Sequence, residues 1–161
     1  LLLGIRTGNF CDKFLSTTFL RIVLVSRSVE LKLATSSDEA WATNLLRVSG
    51  PCGVSSVRSD SLEHDEVVYL IAETGNFVGF ITYRKIGSQL FNLFVSPQHR
   101  KNGVGRLAVA KLVSEMRDRG ILQLTVNSVD ESVPFWTKTF RQYQVQMEGD
   151  NKFIVCISSI P

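Results

Sequence analysis

Apolar and polar positions along this chain set out most of a fold. Val29-Glu30-Leu31-Lys32-Leu33 alternates apolar and polar, which predicts a half-buried strand. Ser36-Ser37-Asp38-Glu39 reads as a capping box opening a helix, with Ala40, Trp41, Asn44, Leu45 and Val48 on its apolar side and Trp41 a core residue. Ser49-Gly50-Pro51-Cys52-Gly53 stops that helix, and residues 54 to 66 are polar and irregular, with room for one short helix. Val67 to Glu73 and Phe77 to Arg84 predict two strands joined at Thr74-Gly75-Asn76, a hairpin turn. Gly87-Ser88 turns the chain into Leu90 to Val95, a mostly apolar and aromatic run that reads as a buried strand. Pro97 ends it, having no N–H to give a ladder.

Around the next glycines, apolar residues recur at Val104, Ala108, Leu112 and Met116, with Leu107, Val109 and Val113 alongside, which is one face of a helix running to Arg119. Gly120 suits the end of that helix, and Arg117 and Arg119 suit the negative end of its dipole. Ile121 to Asn127 predicts a parallel strand reached by the helical crossover. Val133 to Phe140 reads as a short helix with Pro134 in its first turn. Tyr143 to Met147 and Phe153 to Ile157 close the chain around Gly149-Asp150. Strand, helix, a three-strand meander, helix, strand, helix and two strands make an α/β domain with a sheet of mixed direction. Residues 29–161 are expected to form that domain. Residues 1–28 have no clean period and are set apart as an N-terminal extension of unassigned role.

Composition narrows the function classes. With 161 residues, 44% of them hydrophobic and 20% charged, the chain can bury a core as one domain. A net charge of +3 is too small for a nucleic-acid surface, which needs a basic stripe interleaved with aromatics. Cys11, Cys52 and Cys156 are odd in number and lack metal or disulfide spacing, so reduced thiols and an intracellular site, cytoplasmic or nuclear, are expected. No apolar run reaches a membrane span, since Arg21 interrupts Phe19 to Val25. Because the sequence does not begin with methionine, it is expected to be a piece of a longer protein or a part of a complex. Glu63-His64-Asp65-Glu66 is the dense acidic patch, a solvated loop on the plain reading and an acidic lip for a cationic amine on the functional one. A lone histidine is usually a surface residue, which is the reading for His64, whereas His99 is expected to line the neighbouring loop.

That loop, Ser96-Pro97-Gln98-His99-Arg100-Lys101-Asn102-Gly103-Val104-Gly105-Arg106, is where the candidate chemistry concentrates. Two glycines and three basic side chains meet the unpaired N–H groups of a helix start, which suits an anion, above all a pyrophosphate. A Walker loop is excluded, because no Gly-Lys-Ser/Thr follows. Gly103-x-Gly105-x-x-Ala108 matches the dinucleotide fingerprint by letter, but Ser96 to Asn102 separate the glycines from the strand and no βαβ repeat supports it. Arg100-x-x-Gly103-x-Gly105 resembles the acetyl-CoA signature of the GNAT N-acetyltransferase family. The strand, loop, helix and next strand around it stand at that family's spacings, and the resemblance spans about residues 29 to 157.

The resemblance implies a mixed, largely antiparallel sheet flanked by helices, with a splayed parallel strand pair holding acetyl-CoA. In it Leu93, Phe94 and Val95 hold the thioester and pantetheine arm through the backbone, and an N–H near Leu93 polarises the acetyl carbonyl. Arg100, Lys101, Asn102, Gly103, Val104, Gly105 and Arg106 take the pyrophosphate, with Asn127 and Ser132 beside the pantetheine. No metal is implied. The chain departs from the family pattern at its acid and base. Gln89 stands where many members carry a glutamate base, and Phe135-Trp136-Thr137-Lys138 replaces a motif whose tyrosine is the general acid. Gln89 and Tyr143 are the candidates left for those roles. The expected reaction is acetyl transfer from acetyl-CoA to an amine, with a protein lysine, histones included, the favoured acceptor and a small amine or a protein N-terminus the other choices. The competing reading is a non-catalytic module that binds acetyl-CoA or a partner.

Overall fold

A computed structural model describes residues 28–50, 53–59 and 65–158. Seven strands form one sheet: β1 (Val29–Leu33), β2 (Glu66–Glu73), β3 (Asn76–Arg84), β4 (Gln89–Val95), β5 (Gln123–Asn127), β6 (Gln144–Glu148) and β7 (Lys152–Cys156). Their spatial order is β1-β2-β3-β4-β5-β7-β6. Every neighbouring pair is antiparallel except β4 and β5. The expected meander is β2 to β4, and the last two strands form a hairpin whose second strand inserts against β5.

Three helices cover the sheet. α1 (Ser36–Ser49) lies on one face, where Ala42 and Leu46 pack with Val68, Leu70, Phe80 and Phe94. α2 (Val104–Asp118) and α3 (Val133–Phe140) lie on the other, where Leu112, Met116 and Phe140 pack with Ile81, Leu90, Leu124 and Phe153. Tyr69 ties β2 to α2 by donating to Glu115 at 3.1 Å, and burial, followed by the Glu115 charge, pushes its hydroxyl up to about 12. Leu107, expected on the buried side of α2, is instead 38% exposed.

Two local readings shift by a residue or more. The capping box of α1 is built one position earlier: Thr35 accepts from the Asp38 N–H, and the Asp38 carboxylate accepts from the Thr35 N–H at 2.9 Å. Glu39 is drawn away because it pairs with Arg58 at 2.6 and 2.7 Å. Of the short helix expected within 54–66, Asp65 is in 3-10 conformation and residues 60–64 lie outside the described residues. Residues 53–59 are not helical and strap the α1 face. Val57 is buried there, Thr82 donates to its carbonyl at 2.5 Å, and Asn92 donates to that of Ser56 at 2.9 Å.

Candidate functional site

The sheet opens between β4 and β5. Their parallel pairing covers only Gln89–Thr125 and Leu90–Val126. Immediately beyond, the β3–β4 register slips: Tyr83 faces Leu90 while Thr82 faces Asn92, which leaves Phe91 as an extra residue. This is a β-bulge, and it bends the strand that carries it. Phe91 and Asn92 consequently share the α1 face, while Leu90 and Leu93 share the other. The Ser96 N–H donates to the Val78 carbonyl at 2.8 Å, so it points at β3. Backbone groups alternate along a strand. The N–H groups of Leu93 and Val95 therefore point away from β3, into the gap left by β5. A row of backbone donors lines one wall of an open V.

At the mouth of that V stands the start of α2. Gly103 is its N-cap, at φ +84°, with no side-chain cap bond. The first helical bond runs from the Leu107 N–H to the Gly103 carbonyl at 3.0 Å, leaving the Val104, Gly105 and Arg106 N–H groups ahead of it. A Cβ on Gly103 would meet nothing within 4 Å. Lys101 also takes positive φ, at 62°, so this short loop is bent tightly around its own amides. The two glycines differ in purpose. Gly103 supplies a left-handed turn in front of open space, whereas Gly105 gives room for Phe135, whose ring a Cβ would meet at 3.4 Å. The basic residues Arg100, Lys101 and Arg106 are all exposed beside the helix start. Arg100 also donates from Nε to the Val95 carbonyl at 2.7 Å, with its guanidinium 5.4 Å from the Phe94 ring.

On the α1 face, next to the closed end of the V, a polar cluster centres on Glu66. Its side chain is wholly buried and accepts from Arg84 Nε at 2.7 Å, the Ser59 N–H at 2.8 Å and the Ser59 hydroxyl at 2.9 Å. Burial alone would raise this carboxyl, but the bonds from Arg84 and Ser59 outweigh it and hold it below its ordinary value. The acidic lip is thereby corrected: Glu66 is sequestered, and Asp65 is occupied with the Ile86 N–H at 3.0 Å. Glu63 and His64 lie outside the described residues. Arg84 also lies over the Phe91 ring, 3.3 Å from its centroid, and donates to Gln89 Oε1 at 3.3 Å. Replacing Glu66 with glutamine is expected to cost about 2–4 kcal/mol at neutral pH, read from urea unfolding, because Arg84 loses its buried partner. A carboxyl lowered by folding stabilises above its unfolded value and loses that contribution as pH falls through the lowered one. The gap between wild type and variant should accordingly shrink on acidification below about pH 4, and a gap independent of pH would contradict the assignment.

Other expected positions separate. Asn127 ends β5 at the mouth of the V, exposed. Ser132 lies in the turn just after it and donates to the Val129 carbonyl at 2.9 Å. Tyr143 sits at the opposite end of β5: it precedes Gln144, which faces Cys156, which in turn faces Gln123. Its ring packs edge-on to Phe140 at 6.2 Å, so the fold carries it away from the V. Trp136 is buried and stacked on Phe140. His99 lies in the loop before α2, where its Nδ1 meets Glu73 Oε2 at 2.8 Å and clamps the loop to the end of β2. The sequence reading missed Arg84 and Phe135. Arg84 had one signal, since a hairpin around Gly87-Ser88 brings it opposite Gln89. Phe135 had none, because its place over Gly105 depends on how α3 docks. Among the described residues no group of His, Cys, Asp and Glu could hold a metal ion, and no helix is long and apolar enough to cross a membrane.

Known proteins share this arrangement. The sequence model of the acetyltransferase (GNAT) family matches residues 34–140. No curated protein matches the chain in sequence. Among solved structures, the ribosomal-protein-S18-alanine N-acetyltransferase of Escherichia coli superposes with a TM-score of 0.61 at 13% identity, covering 83% of this chain and 97% of its own. An acetyltransferase of the GNAT family from Staphylococcus aureus gives 0.60 at 12% identity, over 81% of this chain and 99% of its own. The PaiA N-acetyltransferase of Thermoplasma acidophilum, solved in complex with coenzyme A, gives 0.58 at 16% identity, over 80% and 97%. At such identities the likeness is one of fold.

Proposed function

This chain belongs to the GNAT acetyltransferase family, and from that premise we propose that it moves the acetyl group of acetyl-CoA onto an amine presented on the α1 face of the sheet. The observation that carries the reading is a coincidence of two features: an uncapped helix start at a left-handed glycine, and a β4 edge freed by the Phe91 bulge directly before it. The first suits a pyrophosphate and the second a thioester arm. On this reading the Val104 to Arg106 amides, with Lys101 and Arg106, hold the phosphates. The Leu93 N–H faces the acetyl oxygen as negative charge develops on it. Val95 receives the pantetheine arm once Arg100 releases its carbonyl, and Asn127 and Ser132 stand on the β5 side. Residues 29–161 form the catalytic domain.

With α2 and α3 on the coenzyme's side, the amine approaches from the other face. Its nitrogen bonds to the acetyl carbon, the carbon–sulfur bond breaks, and the proton lost by nitrogen ends on the CoA thiolate. Gln89 and Trp136 neither accept nor donate that proton as a glutamate and tyrosine would, so the amine must arrive neutral. The expected pH profile follows: kcat/KM rises with unit slope until the acceptor's own pKa and moves with that pKa when the acceptor is changed. A limb that stays put across acceptors would reveal a base on the protein.

A protein lysine is the acceptor favoured by the sequence, with a small amine or a protein N-terminus as rivals. Peptides, histones, polyamines and amino acids supplied with acetyl-CoA separate them. Two features favour the second reading, a binding module without turnover: Gln89 is tied to Arg84, and the position of the family's acid is a buried tryptophan. CoA binding with no acetyl transfer to any of these acceptors would support it.

A further inference from the structure

Resting on the acetyl-transfer reading, the side chains beside the V narrow the acceptor. Strand registers align Gln146, Ile154, Thr125, Gln89, Arg84 and Glu66 in one row across six strands, all on the face away from α2 and α3. Gln89 and Thr125 sit at the last paired rung before the sheet opens. Arginine has donors only, so the Gln89 amide must turn its oxygen to Arg84. That leaves its NH2 group directed away from Arg84, a donor with no acceptor among the described residues. Arg84 spends Nε on Glu66 and Nη1 on Gln89, and its Nη2 makes no bond among the described residues. Its plane is fixed by the Phe91 ring beneath it.

The carboxylates of this cluster already have partners, Glu66 in Arg84 and Ser59 and Glu39 in Arg58. What the floor of the acceptor side offers is therefore a rigid pair of N–H donors, one of them on a guanidinium whose charge Glu66 already balances. Such a pair suits an anion with planar oxygens. We propose that Arg84 and Gln89 form a carboxylate-binding floor beside the acetyl position, and that the preferred acceptor is an amine carrying a carboxylate, such as a free amino acid.

The test compares N-acetyl-L-alanine with N-acetyl-L-alaninamide, two product analogues that differ in the carboxylate, binding to the CoA-saturated protein by calorimetry. The carboxylate is expected to bind at least about tenfold more tightly. Gln89→Glu keeps the bond from Arg84 but replaces the donor with a carboxylate, so it should erase or invert that preference while leaving the unfolding midpoint in place. Arg84→Lys should reduce it. Acetylation of L-alanine over L-alaninamide should follow the same order. Equal binding of the two analogues, or a preference unchanged in Gln89→Glu, overturns the carboxylate floor and leaves the acetyl-transfer reading standing if CoA still binds. No heat with CoA itself removes both.

Discussion

Replacing Gly103 with aspartate is expected to weaken CoA binding by about 100-fold, near 2.7 kcal/mol, while the protein stays folded. Two costs add. Gly103 holds φ +84°, a conformation that charges an L side chain about 1–2 kcal/mol. The new carboxylate also stands at the helix start, beside the Val104 to Arg106 amides, where an incoming diphosphate would be repelled. The fold should survive because a Cβ there meets no atom within 4 Å. Calorimetry gives the affinity and thermal unfolding the control. Gly105→Ala is the internal contrast: Gly105 is a helical residue whose new methyl meets side chains only, the edge of Phe135 at 3.4 Å and Val95 Cγ2 at an ordinary 3.7 Å, so its affinity loss should be far smaller. Unchanged CoA affinity in the aspartate variant would falsify the phosphate cradle.

Gly79→Ala should damage stability and coenzyme binding together, through a different cause. A Cβ on Gly79 would lie 2.1 Å from the Phe94 carbonyl oxygen and 3.0 Å from the Val95 Cα. Both are backbone atoms of β4, so no side chain can swing aside and the strand itself must move. The cost is expected to be about 3 kcal/mol, at the upper end for overpacking. For a domain of this size that lowers the melting temperature by about 6–12 °C. The atoms displaced belong to the segment whose Leu93 and Val95 amides face the V, so the folded fraction should bind CoA more weakly as well. Circular dichroism melts and calorimetry on the folded protein read the two effects separately. A variant that loses stability but binds CoA normally would mean that the β4 edge takes no part in holding the coenzyme.

Much of the fold was legible because hydrophobic periodicity is a local property. The strand at Leu90, the face of α2 from Val104 to Met116, the stop at Gly120 and the short helix at Val133 all follow from side chains spaced to bury one side. The helix start at Gly103 was legible for a related reason: Gly103 marks a backbone that must turn left-handed, and glycine is the residue that does so cheaply. What those local patterns could not say was how strands register against one another. The family resemblance implies a bulged strand that splays from its parallel neighbour, but the letters Leu90-Phe91-Asn92 do not say which residue is the extra one; the register puts the slip at Phe91.

The same limit explains the polar residues. Glu66 looked like part of a solvated acidic run until Ser59 and Arg84 closed around it, partners seven and 18 positions away. Arg100 reads as a phosphate ligand by motif, and only the chain's return shows that its Nε also reaches the Val95 carbonyl. Tyr143 stands close to α3 in sequence, but the direction of that helix carries it to the far end of β5. By itself, the sequence determined the order of elements, the family and the glycine-bearing helix start, because each rests on neighbours within a few positions. Only the tertiary structure decided where the sheet parts and which charges are already spent, because those depend on contacts between strands that the chain reaches by long return paths.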